Sequence, residues 1–436
     1  MRHLRHLVAA VATAGALVAS SSGVASAAPA PQAKLEKGIV SITPITQVYT
    51  YGQKVTAVAI EYSVAVDPRT LDKGTFTVSD SIYNFRFNPI EDLAKRADRT
   101  VTRIYTNEAP TLNADGGSDR GRYVIVELDA ADAGGNTVIV SKCPTFMCTV
   151  KVNPDLPTKI KQNEKVYAKT GKKSRGPVLG NAFKAQRAMT APAVNLLADE
   201  FVEDTYLKGG IVLPYSYHLP ADYDPERSYP MVVILPGHGM GWDGANLGVQ
   251  VAADIPATAW LQSSWTGTDE DVIVLAPQNQ RVGGAAEAAT MVALVRDFMG
   301  THAVDPGRVY ASTVSYGSQL AWQALSTDPG LFAGALITGG FQVSEEQATK
   351  IAADRTPIWV THGTNDHLLK VSFGQTSTAL LRSAYVASGL SQAEAEGLVR
   401  YTEYGNESFS QPDYHAAYGP TYEDSSILQW LLAQGE

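Results

Sequence analysis

The chain has 436 residues, more than one ordinary domain needs, and its 44% hydrophobic content is ample for a large buried core. A formal net charge of -9 comes without any run of Lys or Arg, which excludes the electrostatic footprint that draws a protein onto phosphate backbones. Nucleic acid is therefore not an expected partner.

Arg2 and Arg5 open the chain, Leu7 to Val18 form a short apolar run, and Ala25-Ser26-Ala27 supplies the small-residue pattern that a signal peptidase cuts. The spacing predicts a signal peptide over residues 1–27, removed after Ala27. The apolar run falls below the ~20 residues of a membrane span, and no later segment of the sequence reaches that length. A secreted product, extracellular or periplasmic, without stable membrane insertion is the expectation.

From Val55 to Val66 apolar residues fall on alternate positions (Val58, Ile60, Tyr62, Val64, Val66), the period of a half-buried strand. Short β-rich pieces follow at Thr75–Val78, Val101–Tyr105, Tyr123–Leu128, Thr137–Val140 and Cys148–Val152, separated by turn-rich segments. Residues 35–152 thus read as an antiparallel β-sandwich of immunoglobulin-like size. The two cysteines, Cys143 and Cys148, are expected to pair in an oxidising exterior and close a very short loop; two free thiols are the alternative. A structural zinc site lacks the second pair of ligands it would need.

The stretch 153–199, basic over Lys159 to Pro192, reads as a connector. Beyond about Glu200 the pattern changes. Apolar runs at Met231–Leu235, Val272–Ala276, Val309–Val314, Ala335–Thr338 and Pro357–Thr361 alternate with helical segments at Ala285–Met299, Gln319–Ser326, Ser377–Ala387 and Ser425–Ala433. Nearly continuous apolar strands of this kind belong to a mostly parallel sheet covered by helices on both faces, so residues 200–436 read as an α/β domain.

Within it, an apolar strand ends at Val314, Ser315 follows, and Gly317 opens a helix. That is the order of a nucleophile elbow, whose tight turn pushes a serine hydroxyl out above the sheet. A serine hydrolase of this fold then needs an acid and a histidine further along, each on a loop beyond a strand end. Pro357-Ile-Trp-Val-Thr-His-Gly-Thr-Asn-Asp presents Asp366 in that way, and His415 follows between the strand-like Val399–Tyr404 and the last helix. The other histidines fit less well: His3 and His6 leave with the leader, His218 lies upstream, His302 ends a helix, His362 ends a strand, and His367 adjoins the acid. Asp413 and Asp424 are rival acids but lie too close to His415 in sequence. A metal cluster of His362, Asp366 and His367 lacks a persuasive ligand spacing, so no metal and no cofactor is expected.

The apolar run Met231–Leu235 leads into Pro-Gly-His-Gly-Met-Gly, a loop whose backbone can aim N–H groups at a developing oxyanion. The backbone amides of His238 and Tyr316 are the expected donors. Trp242, Trp260 and Trp265, downstream of this loop, are candidates to line an acyl site, although large aromatics more often pack in a core.

With these residues in view, the segment from about 200 to 434 resembles the polyhydroxybutyrate-depolymerase-like and predicted-peptidase branch of the α/β hydrolases. Leu213-Pro-Tyr-Ser-Tyr-His-Leu-Pro, Ala276-Pro-Gln, Asp305-Pro-Gly-Arg-Val-Tyr, His362-Gly-Thr-Asn-Asp and Trp430-Leu-Leu carry the likeness. The front half resembles the immunoglobulin-like domain that precedes some esterases of that branch, best in Val48-Tyr-Thr-Tyr-Gly-Gln-Lys-Val. The resemblance implies an α/β-hydrolase fold behind an immunoglobulin-like β-sandwich, and a triad of Ser315, Asp366 and His415. Thr313 and Pro236 depart from it, standing where relatives usually have Gly and His. The function expected is cleavage of a small or polymeric ester through an acyl-enzyme. A serine peptidase on the same site, and a non-catalytic secreted binding protein on a hydrolase scaffold, are the alternatives.

Overall fold

Alternation builds the first module. In the computed structural model, which describes residues 35–435 apart from 83–94, 143–147, 172–173, 281–283 and 411–412, two sheets face one another. One is five-stranded, in the order β13-β1-β2-β6-β5: β1 (Ile39–Tyr49), β2 (Gly52–Tyr62), β5 (Val101–Asn107), β6 (Tyr123–Leu128) and β13 (Val194–Asn195). The other runs β12-β9-β3-β4: β3 (Phe76–Ser81), β4 (Arg96–Asp98), β9 (Lys159–Gln162) and β12 (Phe183–Arg187). Two hairpins flank them, β7 (Val138–Lys142) with β8 (Thr149–Val152) and β10 (Val166–Tyr167) with β11 (Val178–Gly180). The expected leader and Cys143 lie outside the described residues, while Cys148 is disulfide-bonded.

Strand β2 is not half-buried, as its alternation predicts, but buried along its whole length. Val58, Ile60 and Tyr62 face Phe76, Val78 and Ile160 of the opposite sheet. Ala57 and Ala59 on the other face are covered by Ile45, Tyr105 and Ile125, in a second small core. Val64 lies past the strand end and is exposed.

The connector expected over 153–199 is corrected by the same sheets. Strand β9 pairs with both β3 and β12, and β13 pairs with β1, so this stretch completes the sandwich. The reason is visible in β9 itself: Lys159 and Lys161 point to solvent while Ile160 and Gln162 are buried. A four-residue strand with two lysines outward has the composition of a solvated linker, although its inner face is core.

The second module is built on one eight-stranded sheet, ordered β14-β15-β17-β16-β18-β19-β20-β21. Its strands are β14 (Val202–Lys208), β15 (Ile211–His218), β16 (Tyr229–Leu235), β17 (Ile273–Pro277), β18 (Val304–Val314), β19 (Gly334–Thr338), β20 (Ile358–Gly363) and β21 (Val399–Tyr404). Only β15 is reversed, antiparallel to both its neighbours β14 and β17; from β17 to β21 every pairing is parallel. Strands β16 and β19 are buried at every position, as central strands covered on both faces must be.

The helices divide between those faces: α1 (Val249–Ala252), α2 (Ser263–Thr266), α3 (Gly284–Met299), α4 (Gly317–Thr327), α5 (Glu345–Asp354), α6 (Ser372–Ala387), α7 (Gln392–Leu398), α8 (Tyr418–Glu423) and α9 (Ser425–Leu432). Met231, Val233 and Leu235 of β16 pack under α3 to α7, and Val232 and Ile234 pack against α1, α8 and α9. Asp424 caps α9 by accepting from the Ser426 N–H, the role its place before the helix predicts. Among the described residues no helix is long and apolar enough to cross a membrane.

The two modules share core. Val48 of β1 packs into the cluster that holds Val232, Ile234, Tyr418 and Tyr422, and Val138 and Val150 of the β7–β8 hairpin pack on Met240, Val249 and Ala253. Residues 35–436 accordingly form one compact unit.

Candidate active site

At the C-terminal end of β18 the chain turns sharply into α4, and Ser315 occupies the turn with φ of 51°. A positive φ in a residue with a Cβ is strained, and it is the backbone signature of a serine held out for chemistry. Two contacts fix it. The Ser315 N–H donates to the Thr338 carbonyl at 2.9 Å, and Ser318 Oγ donates to the Ser315 carbonyl at 2.6 Å.

Clearance is demanded at Gly317, where a Cβ would stand 2.0 Å from the Leu235 carbonyl oxygen. Thr313, the departure two residues before the serine, lies instead within β18, fully buried in register with Leu235 and Ile337. Its branched side chain is thus accommodated as a strand residue.

The other members arrive from strand ends. Asp366 lies in the loop after β20, and His415 in the loop before α8. The Ser315 hydroxyl donates to His415 Nε2 at 2.9 Å, and His415 Nδ1 donates to Asp366 Oδ2 at 2.7 Å. The three side chains expected to meet therefore form one hydrogen-bonded relay.

The Asp366 carboxylate is completely buried. Burial pushes its pKa up, but hydrogen bonds from His362 and His415, and from the Leu369 amide, outweigh that and hold it well below the usual carboxylate range. Oδ1 accepts from the backbone N–H groups of Leu368 and Leu369, both at 2.8 Å. On Oδ2 a second imidazole converges: His362 Nε2 lies 3.3 Å from it and 3.0 Å from the Leu369 carbonyl oxygen. His362 thus takes the packed, hydrogen-bonded role its strand-end position predicts, while His367 is exposed. Among the described residues no group of His, Cys, Asp and Glu is arranged to hold a metal ion. Of the rival acids, Asp424 is committed to the α9 cap, and His415 Nδ1 bonds Asp366 rather than Asp413.

The glycine loop after β16 lies against the serine. A Cβ on Gly237 would sit 3.7 Å from Ser315 Cβ, and the His238 ring meets the Tyr316 ring edge-on at 5.6 Å. Gly237 and Tyr316 therefore lie next to Ser315 from two different elements. Tyr316 is held in turn by Glu287 of α3, a wholly buried carboxylate whose Oε2 accepts from the Tyr316 hydroxyl at 3.1 Å and whose Oε1 accepts from the Gln280 N–H at 2.5 Å. Glu287 is a site residue the sequence reading missed. Its signal was an acidic residue on the apolar stripe of Ala288, Met291, Leu294 and Val295.

For Trp260 and Trp265 the packing alternative holds, whereas Trp242 directly follows the glycine loop and is half-buried. Trp260 is buried in the core beneath α9, Trp265 packs on that same core, and Trp260 meets Tyr422 edge-on rather than the serine. Trp322, Phe341 and Phe373, from α4, the loop after β19 and α6, instead line a cleft along α4.

Residues 41–175 match the family model of the esterase Ig-like N-terminal domain. The chain is similar to a solved thermostable esterase, with 28% identity, a TM-score of 0.73, and coverage of 90% of this chain and 99% of that one. It also matches the native esterase 2 of Thermogutta terrifontis (15% identity, 54% of this chain and 95% of that one, TM-score 0.37). A mutant of the feruloyl esterase module from Clostridium thermocellum, complexed with sinapinate, matches at 13% identity over 54% of this chain and 88% of that one, with a TM-score of 0.40. No curated protein matches. Fold and likeness together define a hydrolase of the α/β-hydrolase fold. Its particular form carries an esterase-type immunoglobulin-like domain ahead of the hydrolase module.

Proposed function

We propose that this chain is a secreted serine hydrolase that cleaves carboxylic esters through an acyl-enzyme. The observation that carries the reading is the continuous relay from Ser315 through His415 to Asp366, set at an elbow beside a glycine loop. Likeness to a thermostable esterase along almost its full length supports the ester as the bond attacked.

The Ser315 oxygen forms a bond to the acyl carbon as its proton passes to His415 Nε2, and the ester C–O bond breaks as that proton passes to the leaving alcohol. Water then repeats the sequence on the acyl-enzyme, releasing the acid and restoring the serine. Asp366, kept ionised, orients His415 and stabilises its cationic form. The backbone N–H groups of His238 and Tyr316 receive the oxyanion, a contribution of about 10²–10³ in turnover for one such donor.

Export is part of the proposal. It rests on the leader pattern ending at Ala27 and fits the disulfide at Cys148, since such bonds persist in oxidising compartments. N-terminal sequencing of protein recovered outside the cytoplasm should begin at Ala28; recovery of the intact leader would overturn this part.

The test of the chemistry is a panel of esters graded in acyl length beside chromogenic peptides, with labelling by a fluorophosphonate. Ester turnover and labelling should both vanish in Ser315→Ala, by several orders of magnitude for turnover. Parental turnover in that variant would remove the serine from the mechanism, and cleavage of peptides alone would replace ester with amide as the substrate.

A further inference from the structure

Along α4, the helix that the elbow opens, lies a cleft of about 350 Å³, within the range of small-molecule sites. It is tied to the nucleophile covalently and by hydrogen bonds. Gln319 stands four residues after Ser315 on α4, and Ser318 Oγ, which donates to the Ser315 carbonyl, accepts from the Phe341 N–H at 2.8 Å. The indole N–H of Trp322 donates to the Phe341 carbonyl at 2.9 Å, fixing the far side of the same loop. Phe341 and Phe373 stack with ring centroids 6.4 Å apart and form an aromatic wall.

The lining has an unusual composition: aromatic rings, glutamine side chains and one glycine, with no charged and no aliphatic side chain among the described residues. The side-chain amides of Gln319, Gln323 and Gln342 make no hydrogen bond among the described residues, and these residues are partly or fully exposed on the cleft. A fatty acyl chain would strip water from these amides without replacing its hydrogen bonds. An anion would meet no cation. A neutral ring bearing hydroxyls satisfies both surfaces, its C–H face on the aromatic wall and its hydroxyls on the amides.

Resting on the ester hydrolysis proposed above, we infer that the natural substrate is an ester of a neutral sugar, with the sugar ring seated in this cleft as the alcohol part. A neutral sugar has hydroxyls but no carboxyl group, so any ester it forms places it on the alcohol side of the bond. Gln319 and Gln342 then act as specificity determinants and Phe341 as the stacking platform.

The experiment uses the mature full-length protein and acetate esters that share one acyl group: a mono-acetylated methyl hexoside, cyclohexyl acetate, and the acetate of an N-acylated serine amide. The hexoside acetate should exceed cyclohexyl acetate in kcat/KM by at least about tenfold, because a site built to bond hydroxyls rejects the ring that lacks them. The double variant Gln319→Leu/Gln342→Leu should shrink that ratio by about fivefold or more, since each amide is worth about 2- to 10-fold. An equal ratio in the parental protein, or a ratio the double variant leaves unmoved, would overturn the sugar assignment. Preference for the serine amide ester would reassign the cleft to a peptide. In each of these cases Ser315-dependent acetate release still stands, whereas absence of turnover on every ester together with absence of fluorophosphonate labelling would bring down the hydrolase reading itself.

Discussion

Two imidazoles share one carboxylate oxygen at Asp366, and only one of them faces the serine. His362 lies at the end of β20 with no exposure, and its Nε2 hydrogen is divided between Asp366 Oδ2 and the Leu369 carbonyl. A donor on Oδ2 draws negative charge away from the His415 bond. Removing it in His362→Phe takes away the hydrogen bond that contributes most to holding Asp366 ionised, so the acid limb of kcat/KM against pH should move to higher pH. A hydrogen bond to a charged group is worth about 1.5–3 kcal/mol and one pH unit about 1.4 kcal/mol, so a shared bond predicts a displacement of up to about one unit. A limb that stays in place while kcat/KM falls uniformly would reduce His362 to packing. The triad was legible in the sequence because chain order, strand ends and the elbow all constrain it. Glu287 was not, since a helical glutamate is ordinary until folding shows what it touches, and for His362 the strand end foretold packing but not the carboxylate it meets. Thr313 looked like a defect for a related reason: the sequence pattern asks for small residues on both sides of the serine, whereas the fold leaves no room for a Cβ at Gly317 alone and buries Thr313 within β18.

The loop that follows β16 carries the proposed oxyanion donors, and glycine-rich backbone does not hold its own shape. Its rigidity comes from neighbouring elements. Asn246 Nδ2 donates to the carbonyls of Val150 on β8 and Gly241 in the loop, both at 2.9 Å, while its Oδ1 accepts from the Asp243 N–H at 2.9 Å. Asp243 Oδ2 in turn accepts from Ser141 Oγ of β7 at 2.6 Å, and Gln278 Nε2 donates to the Met240 carbonyl at 2.9 Å. A hairpin of the front module thus clamps the glycine loop of the rear one. Asn246→Ala should lower kcat about 10- to 100-fold and leave KM within roughly threefold, because a displacement near 1 Å costs about 10² in rate when it falls on transition-state contacts. Steady-state kinetics on a short-chain ester would check this; a rise in KM at constant kcat would place Asn246 in substrate binding instead. This contact was invisible in the sequence. The expected boundary at residue 152 treated the hairpin as the end of a module and the following strands as linker, because β9 to β13 are too short to announce an inner face and β9 and β12 carry basic residues besides.

At the scale of the whole chain, a substitution in the sandwich should be felt by the hydrolase module, because the clamp and the Val48 contact join their cores. Arg99 is the place to test it. Its buried guanidinium donates to Asp80 Oδ2 at 2.8 Å and to Asp132 Oδ2 at 3.0 Å, and it also donates to the carbonyls of Val55 and Asp129. Asp80 is fully buried, so Arg99→Leu leaves a carboxylate in the sandwich core without its cation, a loss of about 3–5 kcal/mol. All six tryptophans lie at or beyond Trp242, so their fluorescence reports the hydrolase module alone. If the two modules unfold as one cooperative unit, the tryptophan-detected Tm of Arg99→Leu should fall by several degrees, roughly as expected for that loss in a large domain. It should also coincide with the far-ultraviolet circular dichroism transition. A tryptophan transition that holds its parental midpoint while the β-sheet signal melts early would show that the sandwich unfolds by itself. The shared core would then be too weak to couple them, and the clamp on the glycine loop would be lost before the hydrolase module unfolds.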